Sequence, residues 1–181
     1  MKDAAPKTPT SAVVWIPPES AWEPIQAIRR LYDRHLPRWM PHVTLLYPFR
    51  PREQFDEIEP VLYDVCAKIP PFDGELNDLR SFEHSAHSHT LWAAPEPEAS
   101  FRSLQSELQA RFPDCDDVTR YPGGYRPHLS VGQSHGGKEL ESRLQSVRAG
   151  WTPLSCPVRE IALIARIGEG PFRVERMIPL G

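Results

Sequence analysis

The chain has 181 residues and a formal net charge of −3, with an isoelectric point near 6.2. It is therefore about one domain long and carries no basic field to attract a nucleic-acid duplex. Its 40% hydrophobic and 25% charged residues match an ordinary folded protein and exclude wholesale disorder.

After a polar tail over residues 1–10, expected to be flexible, the β-branched run Ser11–Ile16 predicts a strand ended by Pro17-Pro18. Trp22, Ile25, Ile28, Leu31 and Tyr32 fall at helical spacing, predicting a helix over 22–35 with Ser20 as a cap and Pro37 as its stop. A second strand spans His42–Phe49, and a second helix Glu53–Lys68, which Pro60 should bend or start late. Strands over 72–82 and 90–94 flank a polar turn, His84–His89, and a helix follows over Phe101–Phe112. Next come a loop from Pro113 to Arg126, a strand over His128–Gln133 and a charged helix over Lys138–Val147. Strands over Val158–Ile167 and Phe172–Ile178, joined through Gly168-Glu-Gly170, close the chain. Such alternation points to an α+β or α/β fold. Twenty-one prolines, about 12% against a typical ~5%, suit short elements rather than a helical bundle.

The apolar runs, such as Ile161–Ala165, are far shorter than the ~20 residues of a membrane span, so no membrane partner is expected. Met1–Ser11 lacks the apolar core of a secretory signal, and the expected compartment is the cytosol. Cys66, Cys115 and Cys156 are widely separated and form no CxxC pair, so they read as packed, reduced thiols.

The informative feature is a pattern that occurs twice. Pro41-His42-Val43-Thr44-Leu45 and Pro127-His128-Leu129-Ser130-Val131 each run Pro, His, apolar, hydroxyl, apolar, and each lies in a predicted strand. Alternation along a strand puts His42 with Thr44, and His128 with Ser130, on one face, while the apolar residues hold the other face to the core. Side by side, two such strands would unite two imidazoles and two hydroxyls. One neutral imidazole can accept a proton while the other, protonated, donates one, and the hydroxyls can bind phosphate oxygens. That set suits phosphodiester chemistry without a metal or other cofactor.

On these motifs the sequence resembles the 2H phosphoesterase superfamily, also called 2'-5' RNA ligase-like proteins. The likeness runs from about Ser11 and includes Pro41–Phe49, Thr90–Pro97 and Tyr125–Gln133. It implies one bilobal α+β domain over 11–181, with two antiparallel sheets around a central cleft, outer helices and an internal pseudo-twofold. It also implies catalytic His42 and His128, phosphate-binding Thr44 and Ser130, and no metal. The substrate would be a nucleoside 2',3'-cyclic phosphate, a 2'-5' linked nucleotide or an RNA end. Several bacterial branches carry an Arg shortly after the second motif, where this chain reads Val131-Gly132-Gln133, which argues against their RNA-end substrate.

Other residues have weaker signals. Arg126 shares the parity of His128 and could reach a phosphate, or be a solvated cation; Tyr125 lies in the same approach as a substrate contact. Tyr121-Pro-Gly-Gly-Tyr125 could move over a ligand, with Gly123 and Gly124 as hinges. Tyr47 and Phe49 have the parity of core residues, although either could stack on a base. His84, His87 and His89 could bind zinc but read more simply as a solvated turn. Arg29-Arg30 and the Asp114–Asp117 loop read as solvated faces. The phosphodiesterase reading competes with an RNA ligase using the same site, a nucleotide-binding module without turnover, and a zinc hydrolase on the His84 cluster.

Overall fold

A computed structural model describes residues 6–181. The strands are β1 (Ser11–Trp15), β2 (Val43–Leu46), β3 (Glu75–Ser85), β4 (Ser88–Glu96), β5 (Leu129–Ser134), β6 (Leu154–Ser155), β7 (Glu160–Ala165) and β8 (Arg173–Pro179). The helices are α1 (Trp22–Tyr32), α2 (Phe55–Cys66), α3 (Glu98–Arg111) and α4 (Lys138–Ala149). Among the described residues no helix is long and apolar enough to cross a membrane.

Helix starts differ from the sequence expectation. Ser20 lies inside a single 3-10 turn, Glu19–Ala21, and Ala21 precedes α1 without a side-chain cap. Helix α2 runs through Pro60. The bond that proline removes is one the Asp56 carbonyl would accept, and Asp56 is exposed, so water can serve that carbonyl.

All strands belong to one antiparallel sheet, ordered β6-β3-β4-β5-β2-β1-β7-β8. This corrects the expectation of two sheets. Two four-stranded halves meet edge to edge, β5 against β2, through the single register pair Val43↔Leu129. Both residues are fully buried, and pairing covers two edges that would otherwise expose unsatisfied backbone. Outward from that joint the halves correspond, β2 to β5, β1 to β4, β7 to β3 and β8 to β6, which is the pseudo-twofold. Helix α1, from the first half, packs on β5, while α3 packs on β2 and β4. Gly132 permits the α1 contact, because a Cβ there would come 2.6 Å from the Tyr32 Cβ.

The main core lies between sheet and helices and includes Val13, Val43, Leu45, Leu129, Val131, Leu104 and Leu108. A smaller cluster of Ala12, Val14, Ala162, Ile164 and Phe172 is packed by Trp39, Met40 and Tyr47. The three cysteines are buried and unpaired, and burial pushes each thiol up to about 11.

Part of the expected tail is tied down. Thr8 bridges Phe49 through backbone bonds in both directions, Lys7 pairs with Asp117, and the Thr10 carbonyl accepts the Arg166 N–H. The Asp114–Asp117 loop is likewise no solvated face. Arg50, 7% exposed, grips Asp114 through two guanidinium nitrogens at 2.7 and 2.5 Å. A bidentate fork of this kind fixes the loop with direction as well as charge.

Candidate active site

The two copies of the repeat meet at the sheet joint. Continuing the antiparallel Val43↔Leu129 register by one residue each way sets His42 opposite Ser130 and Thr44 opposite His128. Cross-strand neighbours of this kind have Cβ atoms ~5 Å apart. All four motif side chains are half-buried on the face opposite Val43 and Leu129. Neither hydroxyl has a side-chain hydrogen bond among the described residues, so both remain available to a ligand.

Each imidazole is held in the same way. His42 Nδ1–H donates to the Met40 carbonyl, and His128 Nδ1–H to the Arg126 carbonyl, both at 2.8 Å. A carbonyl can only accept, so the proton sits on Nδ1 and Nε2 keeps its lone pair. Burial pushes the His42 imidazole down to about 4, and Arg29 and His128 add to the effect against the Met40 bond and Asp33. His128 is also lowered, by burial first, against the Arg126 carbonyl bond and with smaller contributions from the charges of His84 and Arg126. In both rings burial therefore favours the neutral form.

Aromatic rings support each histidine. Trp39 stacks on His42, with centroids 4.7 Å apart, and on Phe172 at 3.8 Å, while Tyr47 meets Trp39 edge-on. On the other side Phe82 stacks on Trp92 at 4.5 Å, and both present an edge geometry to His128. Trp39 has no periodic signal in the sequence, because it lies in the irregular segment between α1 and β2.

A cavity of about 480 Å³ opens beside His128 and Thr44, within the size range of small-molecule sites. Its walls include Phe82, Glu83, His84 and Tyr47, and the segment from Tyr121 to Arg126. Arg126 is exposed there, its guanidinium over Phe82 at 5.8 Å from the ring centre. Tyr125 is only 6% exposed, and its hydroxyl donates to the Thr44 carbonyl at 2.9 Å, so it tethers the loop to β2. Gly123 and Gly124 adopt φ of 86° and 73°, which glycine accommodates without strain. Tyr47 lines the cavity, against its strand parity, because β2 ends at Leu46; Phe49 is in the core as its parity predicts.

The His84–His89 turn is shorter than expected. Strands β3 and β4 extend to Ser85 and from Ser88, since cross-strand pairs such as Glu83↔His89 continue the hairpin. His84 points its Nε2 at the Thr90 hydroxyl at 2.9 Å and lines the cavity, whereas His89 is buried and His87 exposed. Among the described residues no group of three His, Cys, Asp or Glu side chains is placed to hold a metal ion. Arg29 is also not solvated: it is 2% exposed and bonded to Asp33, because it sits one helical turn after the core residue Ile25. Arg30 is exposed and paired with Glu23.

Comparisons with known proteins bear on the family and the fold. The sequence is 25% identical over 170 residues to proteins of Bacillus thuringiensis (strain Al Hakam) and Bacillus cereus (strain AH187) that carry a provisional phosphoesterase name. That match covers 93% of this chain and 95% of theirs. The fold is similar to that of TT0787 of Thermus thermophilus, at TM-score 0.60 and 20% identity, covering 94% of this chain and 97% of that one. It is also similar to apo LigT of E. coli, at TM-score 0.57 and 18% identity, covering 97% and 96%. The sequence model of the 2'-5' RNA ligase superfamily matches residues 17–170, which span both histidine motifs and the sheet joint between them, and the chain belongs to that superfamily of 2H phosphoesterases.

Proposed function

We propose that the protein is a metal-independent phosphodiesterase acting on a nucleoside 2',3'-cyclic phosphate or a 2'-5' linked nucleotide, with His42 and His128 as its acid–base pair. The observation that carries this reading is the matched tethering of two imidazoles, each one residue ahead of the paired strands β2 and β5, with a motif hydroxyl two residues further on. In hydrolysis of a cyclic phosphate, one neutral Nε2 takes a proton from the attacking water as its oxygen bonds to phosphorus. The other histidine, protonated, gives its proton to the ribose oxygen as the ring P–O bond breaks, leaving a phosphomonoester. Thr44 and Ser130 would donate to the non-bridging oxygens, and Arg126 would add positive charge at the cavity mouth.

Burial favours the neutral form of both rings, so the acid's proton would arrive with the substrate. A phosphate anion raises the proton affinity of a neighbouring imidazole, which couples binding to protonation. Tyr125 would serve from the cavity wall, where its hydroxyl also holds the Thr44 carbonyl. The cavity beside Thr44 and His128 has the volume of a small-molecule site, and LigT, which shares the fold, has been crystallised with 3'-AMP, phosphate and ATP. The net charge of −3 disfavours long RNA as the substrate.

The test is a panel of 2',3'-cyclic nucleotides and 2'-5' dinucleotides followed by phosphorus NMR, with and without EDTA. Turnover of a panel member at the same rate in EDTA is expected. Binding without turnover would make the protein a nucleotide-binding module, and activity lost in EDTA and restored by zinc would overturn the metal-independent mechanism.

A further inference from the structure

A buried polar network joins His42 to the strand of the other repeat, and the acid–base scheme makes no use of it. Arg29 Nε donates to Asp33 at 2.7 Å, one terminal nitrogen to Gln26 at 3.1 Å, and the other to the Trp39 carbonyl at 2.8 Å. Asp33 in turn accepts the Gln133 amide of β5 at 3.0 Å, and the Gln133 oxygen accepts the Arg34 N–H at 3.1 Å. The side chains of Arg29 and Asp33 are 2% and 3% exposed. Trp39, whose carbonyl ends this chain of bonds, stacks its ring on His42, and Met40 beside it supplies the carbonyl that orients His42 Nδ1.

A buried ion pair is a weak stabiliser, because apolar side chains of similar volume often serve as well. What an apolar replacement cannot supply is direction: the planar guanidinium holds α1, its C-terminal Asp33 and the Trp39 backbone in one plane. Gln133 is the β5 residue that reaches this pair, with its amide committed to Asp33. We propose that Arg29 and Asp33, keyed to β5 by Gln133, are positioning residues that hold the Trp39–Met40 segment and through it orient His42 for reaction. The proposal rests on the acid–base reading of His42, and it makes the geometry of one repeat depend on a residue of the other.

The test uses the full-length protein and reads the His42 ring protons by NMR, since the stacked Trp39 ring shifts them. Kinetics on whichever substrate the panel identifies give the second readout. Arg29→Lys keeps the charge and loses the fork. It should move the His42 resonances toward unstacked positions and lower kcat about tenfold to a hundredfold, with KM within about twofold, as misorientation by about 1 Å does. Arg30→Gln, an exposed change on the same helix, should move neither. A folded Arg29→Lys protein with unchanged His42 resonances overturns the proposal. Gln133→Ala leaves the ion pair in place and covers the case in which the Arg29 variant does not fold. It should shift the same resonances by less, and no shift overturns the proposal as well. The NMR readout needs no turnover, so failure of the phosphodiesterase reading would appear separately, as a wild-type protein inactive on every substrate.

Discussion

Replacing His42 should change how stability depends on pH, by an amount that follows from its burial. The folded imidazole titrates at about 4 and an unfolded one near ~6.5, so the unfolded chain binds the extra proton between these values. Stability is therefore fully present above about pH 6.5 and is lost as pH falls toward 4. At pH 5 an unfolded imidazole is ~97% protonated and the folded one ~9%, which costs up to about 2 kcal/mol relative to pH 8. In a chain of this size that is about 4–8 °C in Tm. His42→Gln is neutral at both pH values and removes this contribution, so its stability relative to wild type should improve by that amount between pH 8 and pH 5. Urea denaturation of both proteins at the two pH values measures the difference directly, and NMR titration of the His42 ring gives the midpoint independently. Wild type and His42→Gln losing equal stability, or a His42 midpoint near 6.5, would refute the reasoning.

His42→Ala and His128→Ala should each lower the single-turnover rate by roughly 10²–10⁴-fold, with the double variant little worse, since the pair acts as a unit. A folded His128→Ala protein with near-normal turnover would show the second motif to be scaffolding. Thr44→Ala and Ser130→Ala should slow turnover less and mainly weaken binding of a diester ligand, as calorimetry would show. Tyr125→Phe strands the Thr44 carbonyl in a buried setting and should cost about 1–3 kcal/mol in urea denaturation; no loss would mean that the bond does not tether the loop. Gly132→Ala places a methyl 2.6 Å from the Tyr32 Cβ, so it should destabilise the protein by about 1–3 kcal/mol, and an unchanged Tm would show that α1 can move away freely.

The strand character of both motifs, and the face each histidine occupies, could be read from the sequence alone. Alternation along a strand is a local property, so Val43 and Leu129 in the core imply His42 and His128 on the opposite face. Helical periodicity likewise located α1, α2 and α3, and the family resemblance implied the pseudo-twofold. Only the tertiary structure decided that the halves form one sheet, because edge pairing between strands far apart in sequence leaves no periodic trace. It also decided the surroundings of the histidines. Trp39 and the carbonyl of Met40 lie in an irregular segment, whose path is set by Arg29 and Asp33 rather than by any repeat. His84 joins the cavity and His89 is buried because cross-strand pairing carried the β3–β4 hairpin further than polar composition suggested. Arg29 looked solvated beside Arg30, yet one faces the core and the other water, since consecutive residues on a helix are turned about 100° apart. Sequence periodicity records which face a residue takes within its own element. Which elements then meet, and what their polar groups bond to, is decided by packing between distant segments.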